Sequence, residues 1–572
     1  LLSRMYALEA QPIGFEPAVQ ALQERGFIEE RSPEERGFRH ALMQEVAYGG
    51  LLQSVRNVLH ESAARIGEEF FADRLDHEAP FFAHHYWHAG LPEVALPHLW
   101  RAGRVAFSRY DLPTAEKYLR RAAEVLGPDP DALTDPAEQA SFAQTLGDVL
   151  IQRGDLAEAE AWFGRLEESG RAEERPAWVV RGMERRARVA WYRGELSEST
   201  RLYEAGLRDL PAGEPGLAAD LHNGLGVVHH YQALPDLAFD HISRALQLRE
   251  DAGDRLGKAK CLLNVGSVFL DLREDLDSAE RYYREAYEAA ESIGDRQMRY
   301  SALNNLGRVA TERGEWQEAL DTLDRAERIL EEIGWSFARY VTLQNRADCE
   351  IALGRLGDAI RHLRICRDRG DAVLGPVNRV TTRIFLFDAW YRMFADDLAE
   401  ESLVEARAVV EETGRPEELH EILLREGRLL VSRERWEEAV EVFARAEAEA
   451  RQHAAPTQVA LAAAHRRRAV VRAGGPDPGP GEEGEIRSHP YATLLRWLEA
   501  DADATLEPSP RVLEGLGRVL EDAARMGIVS LERAAAERLA GLHAALGDSA
   551  GEALALARAA RAMLALAQGL PP

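Results

Sequence analysis

Cysteine is almost missing, with three residues in a chain of 572. That excludes a disulfide framework and makes a reducing compartment, the cytoplasm, the expected location. Positive charge is also scarce: 70 Lys and Arg stand against 97 Asp and Glu, a net charge of −27. Gripping a phosphate backbone needs clustered basic residues, so nucleic acid is not an expected partner. No apolar run reaches the roughly 18 residues that cross a bilayer, so no membrane partner is expected either. A basic-then-apolar leader is absent from the N-terminus. The first residue is Leu, not Met, and the chain is expected to be a piece of a longer protein. What remains is 46% hydrophobic and 29% charged, ample material for the cores of roughly three or four domains.

One pattern organises most of the chain. A small residue is followed by Ala twelve positions later, a large apolar residue four further on, and a small residue three beyond that. Gly103, Ala115, Leu119 and Ala122 fit, as do Gly226, Ala238, Ile242 and Ala245, and Gly307, Ala319, Leu323 and Ala326. Gly147, Ala347 and Gly427 begin further copies, and Ala187 and Phe387 begin weaker ones. Gly266, Ala279, Tyr283 and Ala286 fit with one extra residue, expected in the turn. From residue 187 to 427 the anchors recur about every 40 residues. Such a period implies two antiparallel helices per unit. The small anchor lets the second helix approach, Ala marks the crossing, and the large residue is expected in the seam with the next unit. Seven residues after several anchors stands a glycine (Gly154, Gly194, Gly314, Gly354), which takes a left-handed φ without a Cβ penalty and ends the first helix.

The segment LNNLGRVATERGEWQEALDTLDRAERIL around Gly307 resembles the tetratricopeptide repeat. That family's usual unit is about 34 residues. The resemblance covers residues 95–472 and implies an all-α fold, a right-handed superhelical solenoid of helix pairs. Residues 473–486 include AGGPDPGPGEEGE and are expected to be a flexible linker. Residues 487–572 are expected to form degenerate repeat-like helices. At the other end, residues 1–52 suggest a helix, a hairpin around SPEE and a second helix, with connecting helices over 53–94.

Phe38, Arg39, His40, Ala41, Glu45, Ala47 and Tyr48 resemble the winged-helix segment that follows the nucleotide-binding module of bacterial STAND-type signalling ATPases. That resemblance implies a P-loop domain upstream, binding ATP or ADP, as a partner of this chain. It also implies that His40 would touch the nucleotide's β-phosphate; the family's Asp after this histidine is Ala41 here. The chain itself holds no G-x-x-x-x-G-K-[ST], so no cofactor is expected within it. G-x-S-x-G and H-E-x-x-H are absent too, and no catalytic constellation is found. His84 and His88 have the i, i+4 spacing of metal ligands, but lack supporting carboxylate or Cys, so packing is the expected role. No metal site is expected.

Binding is the chemistry that the pattern does offer. A solenoid of helix pairs presents its first helices to a concave surface. Two residues before the anchor, three successive units carry Asn264, Asn305 and Asn345. In peptide-binding tetratricopeptide proteins an Asn at the matching place faces the groove, where an amide can donate to and accept from an extended backbone. Asn223, His230, Asn304, Arg308 and Gln344 are the neighbouring groove candidates. The alternative is that these amides bond to adjacent helices. The expectation is therefore a non-catalytic sensor and scaffold that binds a protein or peptide, within a multidomain signalling ATPase. A free-standing adaptor, or the regulatory region of a transcriptional activator, is the second reading. A DNA-binding regulator is disfavoured by the net charge and by the four Glu of EERSPEER.

Overall fold

The computed structural model describes residues 15–32, 35–108, 111–127, 136–333, 336–371, 374–413, 418–452, 456–479, 489–506 and 509–568. It contains two compact units, Leu1–Glu214 and Pro215–Pro572.

The first unit opens with α1 (Phe15–Glu24), strands β1 (Ile28–Ser32) and β2 (Glu35–Phe38), and α2 (Ala41–Gly49). The strands pair antiparallel, with Ile28 opposite Phe38 and Glu30 opposite Arg36. Helices α3 (Gln53–Phe70) and α4 (Ala79–His88) follow. Then come three helix pairs: α5 (Pro92–Ser108) with α6 (Leu112–Leu126), α7 (Pro136–Arg153) with α8 (Leu156–Ala172), and α9 (Pro176–Tyr192) with α10 (Leu196–Arg208). Phe82, Leu99, Leu119, Leu146 and Phe163 are fully buried at its centre.

The second unit continues the pattern. Its pairs are α11 (Pro215–Tyr231) with α12 (Pro235–Asp251), α13 (Arg255–Ser267) with α14 (Leu276–Ser292), and α15 (Arg296–Arg313) with α16 (Trp316–Ile333). Next are α17 (Ser336–Ala352) with α18 (Leu356–Ile365), α19 (Pro376–Arg392) with α20 (Asp396–Thr413), and α21 (Leu419–Ser432) with α22 (Trp436–Gln452). Helix α23 (Pro456–Arg472) precedes α24 (His489–Leu506), α25 (Pro510–Met526), α26 (Val529–Ala545) and α27 (Ser549–Gln568). The fold is all-α, a solenoid of tetratricopeptide-like helix pairs, with the short hairpin β1–β2 as a minor addition.

The repeated small residues explain the close pairing. A Cβ on Gly147 would stand 2.3 Å from Phe163, one on Gly226 2.4 Å from Ile242, and one on Gly427 2.4 Å from Phe443. The large residue thus seats first on the glycine of its own pair, which corrects the expectation that it fills only the seam with the next unit. Phe443 does both, stacking on His465 of α23 with ring centroids 4.9 Å apart. The crossing alanines Ala115, Ala159, Ala238, Ala279, Ala319, Ala359 and Ala439 are fully buried.

The turn geometry persists where glycine does not. Gly154, Gly194, Gly314 and Gly354 have φ of 87°, 80°, 77° and 76°, and Ala233, Glu274, Phe394 and Glu434 occupy the same turn in other units at 56°, 49°, 59° and 57°. Pairing of the helices therefore imposes the left-handed turn on residues that resist it. The extra residue of the Gly266 unit is not in its turn, as expected, but in the helix. Val268–Leu272 continues α13 as a π-helical turn, which takes up one inserted residue without moving the pairing downstream.

Successive first helices touch one another, α13 with α15, α15 with α17, α17 with α19, and so on to α23, which makes theirs the inner side of the curve. The curve closes far enough that Thr457 of α23 donates a 3.3 Å hydrogen bond to Glu274 in the α13–α14 turn. The C-terminal helices fold back onto this inner side. Ala523, Ile528 and Leu531 share a core with Ala310, Trp316, Leu323 and Cys349, and Leu566 packs with Ala347 and Leu363. The expected linker over 473–486 is described only to Gly479. In that part Asp477 pairs with Arg467 at 2.8 Å and accepts the Gly479 N–H at 3.0 Å, so it is anchored; the remainder lies outside the described residues.

Candidate functional site

Three positions of each first helix in the second unit share the inner face: two before the anchor, one after it and five after it. Helical spacing dictates this, since residues three and four apart lie on one face. The stripe runs through Asn264, Ser267 and Asp271, then Asn305, Arg308 and Glu312, then Asn345, Asp348 and Ala352. It continues through Phe385, Asp388 and Arg392, then Arg425, Arg428 and Ser432, then His465, Arg468 and Arg472.

The structure brings several of the sequence-selected residues together. Asn264 Nδ2 donates to Asn223 Oδ1 at 2.8 Å, and Asn345 Nδ2 donates to Asn304 Oδ1 at 3.0 Å. Each bond joins a first helix to the one before it, so part of the amides' capacity is spent between helices. Asn305 is half-buried on the same stripe. His230 and Arg308 meet around Asp271, at 3.4 Å and 2.8 Å. Burial opposes ionisation of Asp271, but Arg308 and His230 hold its carboxyl down at about 2. Gln344 is not in the groove: it is buried and donates to Asn378 O and Thr382 Oγ1, both at 2.6 Å, sealing α17 against α19. His40 is exposed at the N-cap of α2 and makes no capping hydrogen bond.

Sequence reasoning missed Asp271 and the whole charged half of the stripe. The signal was available, because the register of the Asn positions, extended to the next units, names them. From Glu312 onward, Asn345 apart, the stripe lines a cavity of about 730 Å³ between α15, α17, α19, α21 and α23 on one side and α24, α26 and α27 on the other; Asp271 lies outside it. Most of its charges are paired. Asp388 takes Arg425 and Arg428, both at 2.8 Å. Asp501 of α24, almost fully buried, takes Arg468 at 2.5 Å, Arg538 of α26 at 2.6 Å and Arg472 at 3.0 Å. Burial opposes both carboxylates, yet the guanidiniums keep their pKa values below the ordinary range.

In the first unit, His84, His85 and His88 of α4 gather around His60 of α3. His60 Nδ1 lies 2.9 Å from His85 Nδ1, and its ring centroid lies 5.6 Å from that of His84 and 5.3 Å from that of His88. The Tyr48 hydroxyl sits 2.8 Å from His60 Nε2. Burial and mutual repulsion lower the pKa of His60 and His85 to about 4, and lower that of His84; burial lowers that of His88. Among the described residues no group of three or more His, Cys, Asp or Glu is arranged to hold a metal ion. Cys349 and Cys366 are buried, and burial pushes both thiols up to about 12, which leaves them unreactive. No described helix is long and apolar enough to cross a membrane.

With this geometry in hand, comparison places the chain among helical-repeat proteins. The tetratricopeptide-repeat family model matches residues 217–292 and 272–332, the segment that carries the Asn223–Asn264 pair and the Asp271 cluster. An uncharacterized protein of Rhizobium meliloti (strain 1021) is 33% identical over 117 residues, and the chain spans 11% of that curated relative's length. Among solved structures, a Rap protein complexed with competence and sporulation factor is similar with a TM-score of 0.44 and 13% identity, over 63% of this chain and 99% of that one. A STAND protein with a tetratricopeptide repeat sensor from Pyrococcus horikoshii gives 0.42 and 14%, over 72% and 63%.

Proposed function

We propose that this chain is the protein- or peptide-recognising region of a multidomain STAND-type signalling ATPase, with no catalytic role of its own. The observation that supports recognition is the polar stripe. Successive first helices carry amides and charges in one register, on the inner side of a curve, and the tetratricopeptide model matches its first part, up to residue 332. An Asn amide has two donors and a carbonyl, so one bond to a neighbouring helix leaves capacity for an extended ligand backbone. Asn264, Asn305 and Asn345, with Asn223, Asn304, His230 and Arg308 beside them, are the proposed contacts. Tetratricopeptide repeats act as interaction scaffolds, and nothing in the stripe is arranged as a nucleophile with its base.

The ATPase context rests on the Phe38–Tyr48 motif and on the helix, hairpin and helix that carry it. ATP or ADP would bind in a domain upstream, and His40, exposed at the start of α2, would donate an imidazole N–H to a phosphate oxygen there. The coding sequence upstream of Leu1 tests this part. A P-loop followed by an acidic strand supports it, and a start codon close to Leu1 refutes it.

Recognition is tested by panning a random-peptide display library on the whole chain. A peptide that binds the chain should bind the Asn305→Ala/Asn345→Ala variant more weakly, with helicity by circular dichroism unchanged. Equal affinity for the variant would sink the Asn positions as contacts.

A further inference from the structure

Most charges on the wall of the second unit's cavity are held in salt bridges; among the described residues Arg392 and the carboxylates Asp348, Asp396 and Glu434 are not. Arg425 and Arg428 share Asp388, Arg468, Arg472 and Arg538 share Asp501, and Arg533 holds Glu537 at 2.9 Å. Arg392 of α19 is different. It donates to the Ile351 carbonyl at 2.8 Å and has no carboxylate partner among the described residues. Asp348 of α17 has no hydrogen-bond or ion-pair partner among them either. Both side chains are half-buried and both line the cavity. Arg392 sits in the fields of Asp388 and Asp348, and Asp348 in that of Arg392, so the two face one stretch of the wall.

An unpaired charge in a partly desolvated site is costly, and a cation and an anion left side by side without pairing are open to a ligand that satisfies both. Burial and the nearby Glu312 and Asp388 push the Asp348 carboxyl up to about 7. Between the paired charges the wall carries an apolar and aromatic patch, Trp316, Phe385, Tyr391, Leu494 and Trp497. At about 730 Å³ the volume suits a small molecule. Helices α24, α26 and α27 cover the groove here.

We propose that this cavity binds a small zwitterion of the amino-acid class, its carboxylate on the Arg392 guanidinium and its ammonium on Asp348, with an apolar or aromatic side chain against the tryptophans. An anion alone would leave Asp348 unpaired and be repelled by it, and a cation alone would stand in the same relation to Arg392. This site is separate from the Asn positions, and its existence does not depend on peptide capture there.

The test is a thermal-shift titration of the whole chain with each of the common L-amino acids, with phenethylamine as the cation alone and with 3-phenylpropionate as the anion alone. At least one zwitterion should raise Tm saturably, and the single-charge probes should not. Arg392→Gln and Asp348→Asn should each weaken that ligand roughly tenfold or more, as expected for removing one partner of a buried pair. Asn305→Ala/Asn345→Ala should leave it unchanged. If Arg392→Gln does not fold, Asp348→Asn alone decides. Failure of every amino acid to bind, equal binding by phenethylamine, or unchanged affinity in the folded variants overturns the proposal. So does a double-mutant cycle showing that Arg392 and Asp348 simply pair with each other.

Discussion

Replacing Asp501 with Asn tests how the C-terminal helices are held on the inner face. The carboxylate is 1% exposed and binds three guanidiniums, Arg468, Arg472 and Arg538, from α23 and α26. Asn has nearly the same shape, so packing is kept while the charge is lost and three cations are left facing one another. Breaking a buried pair costs about 3–5 kcal/mol, and partial exposure of the three arginines argues for the lower end, about 3 kcal/mol. Release of α24 would then be roughly 150-fold more populated. Hydrogen exchange read by mass spectrometry should show this as faster exchange across 489–545, with 235–272 unchanged. Asp503→Asn is the control, because Asp503 pairs with Arg467 at 2.7 Å while half-exposed. Such a pair is worth about 1 kcal/mol or less. Acid should imitate the substitution. The folded pKa of Asp501 is depressed, so its contribution is present above the unfolded value near 3.9 and is lost as pH falls below it. Exchange in α24 within twofold of the unsubstituted chain would refute the reasoning.

Further outcomes follow from the same packing. Gly147→Ala places a Cβ 2.3 Å from Phe163 and should cost about 1–3 kcal/mol in urea unfolding, whereas Gly164→Ala, with nothing within 4 Å on the same hairpin, should stabilise by about 0.5–1 kcal/mol. Ala233→Gly relieves a left-handed φ worth about 1–2 kcal/mol and gives back about 0.4–1 kcal/mol of unfolded-state entropy, so Tm should rise slightly; a fall would contradict the strain. His60 and His85 stay neutral when folded until pH nears 4, while the unfolded chain takes up protons from near pH 6.5 downward. The α3–α4 region should therefore lose stability between pH 6.5 and about 4, by up to about 1.4 kcal/mol per pH unit for each excluded proton. Hydrogen exchange in residues 53–88 that stays flat over that range would count against it, and His60→Gln should flatten it.

The helix pairs were legible because the crossing leaves no room for a side chain. Gly147, Gly226 and Gly427 sit where a Cβ would strike the partner ring or branch, and such a constraint writes itself into sequence at fixed spacing. The turns were legible only where glycine relieves the left-handed φ. Ala233, Glu274, Phe394 and Glu434 adopt it under tertiary force and carry no local sign of it. The π-helical turn at Val268–Leu272 was hidden for a related reason: an inserted residue can be absorbed by a turn or by a helix, and spacing alone does not choose. The Asn positions drew attention through their residue type, but the register that contains them also passes through Asp348, Asp388, Arg392 and Arg428. Those charges read as a solvated face until α24–α27 are seen to cover them. Asp501 meets Arg468 across a Pro/Gly-rich stretch, a contact between distant segments with no periodic trace.

The central claim is that recognition takes place on the inner stripe of first helices. Hydrogen exchange on the whole chain, with and without a display-selected peptide at saturation, tests it most directly. The account predicts protection confined to α11, α13, α15 and α17 around the two-before and one-after positions, with α12, α14 and α16 unchanged. Protection on α12, α14 and α16 instead, or none in residues 215–352, would contradict it.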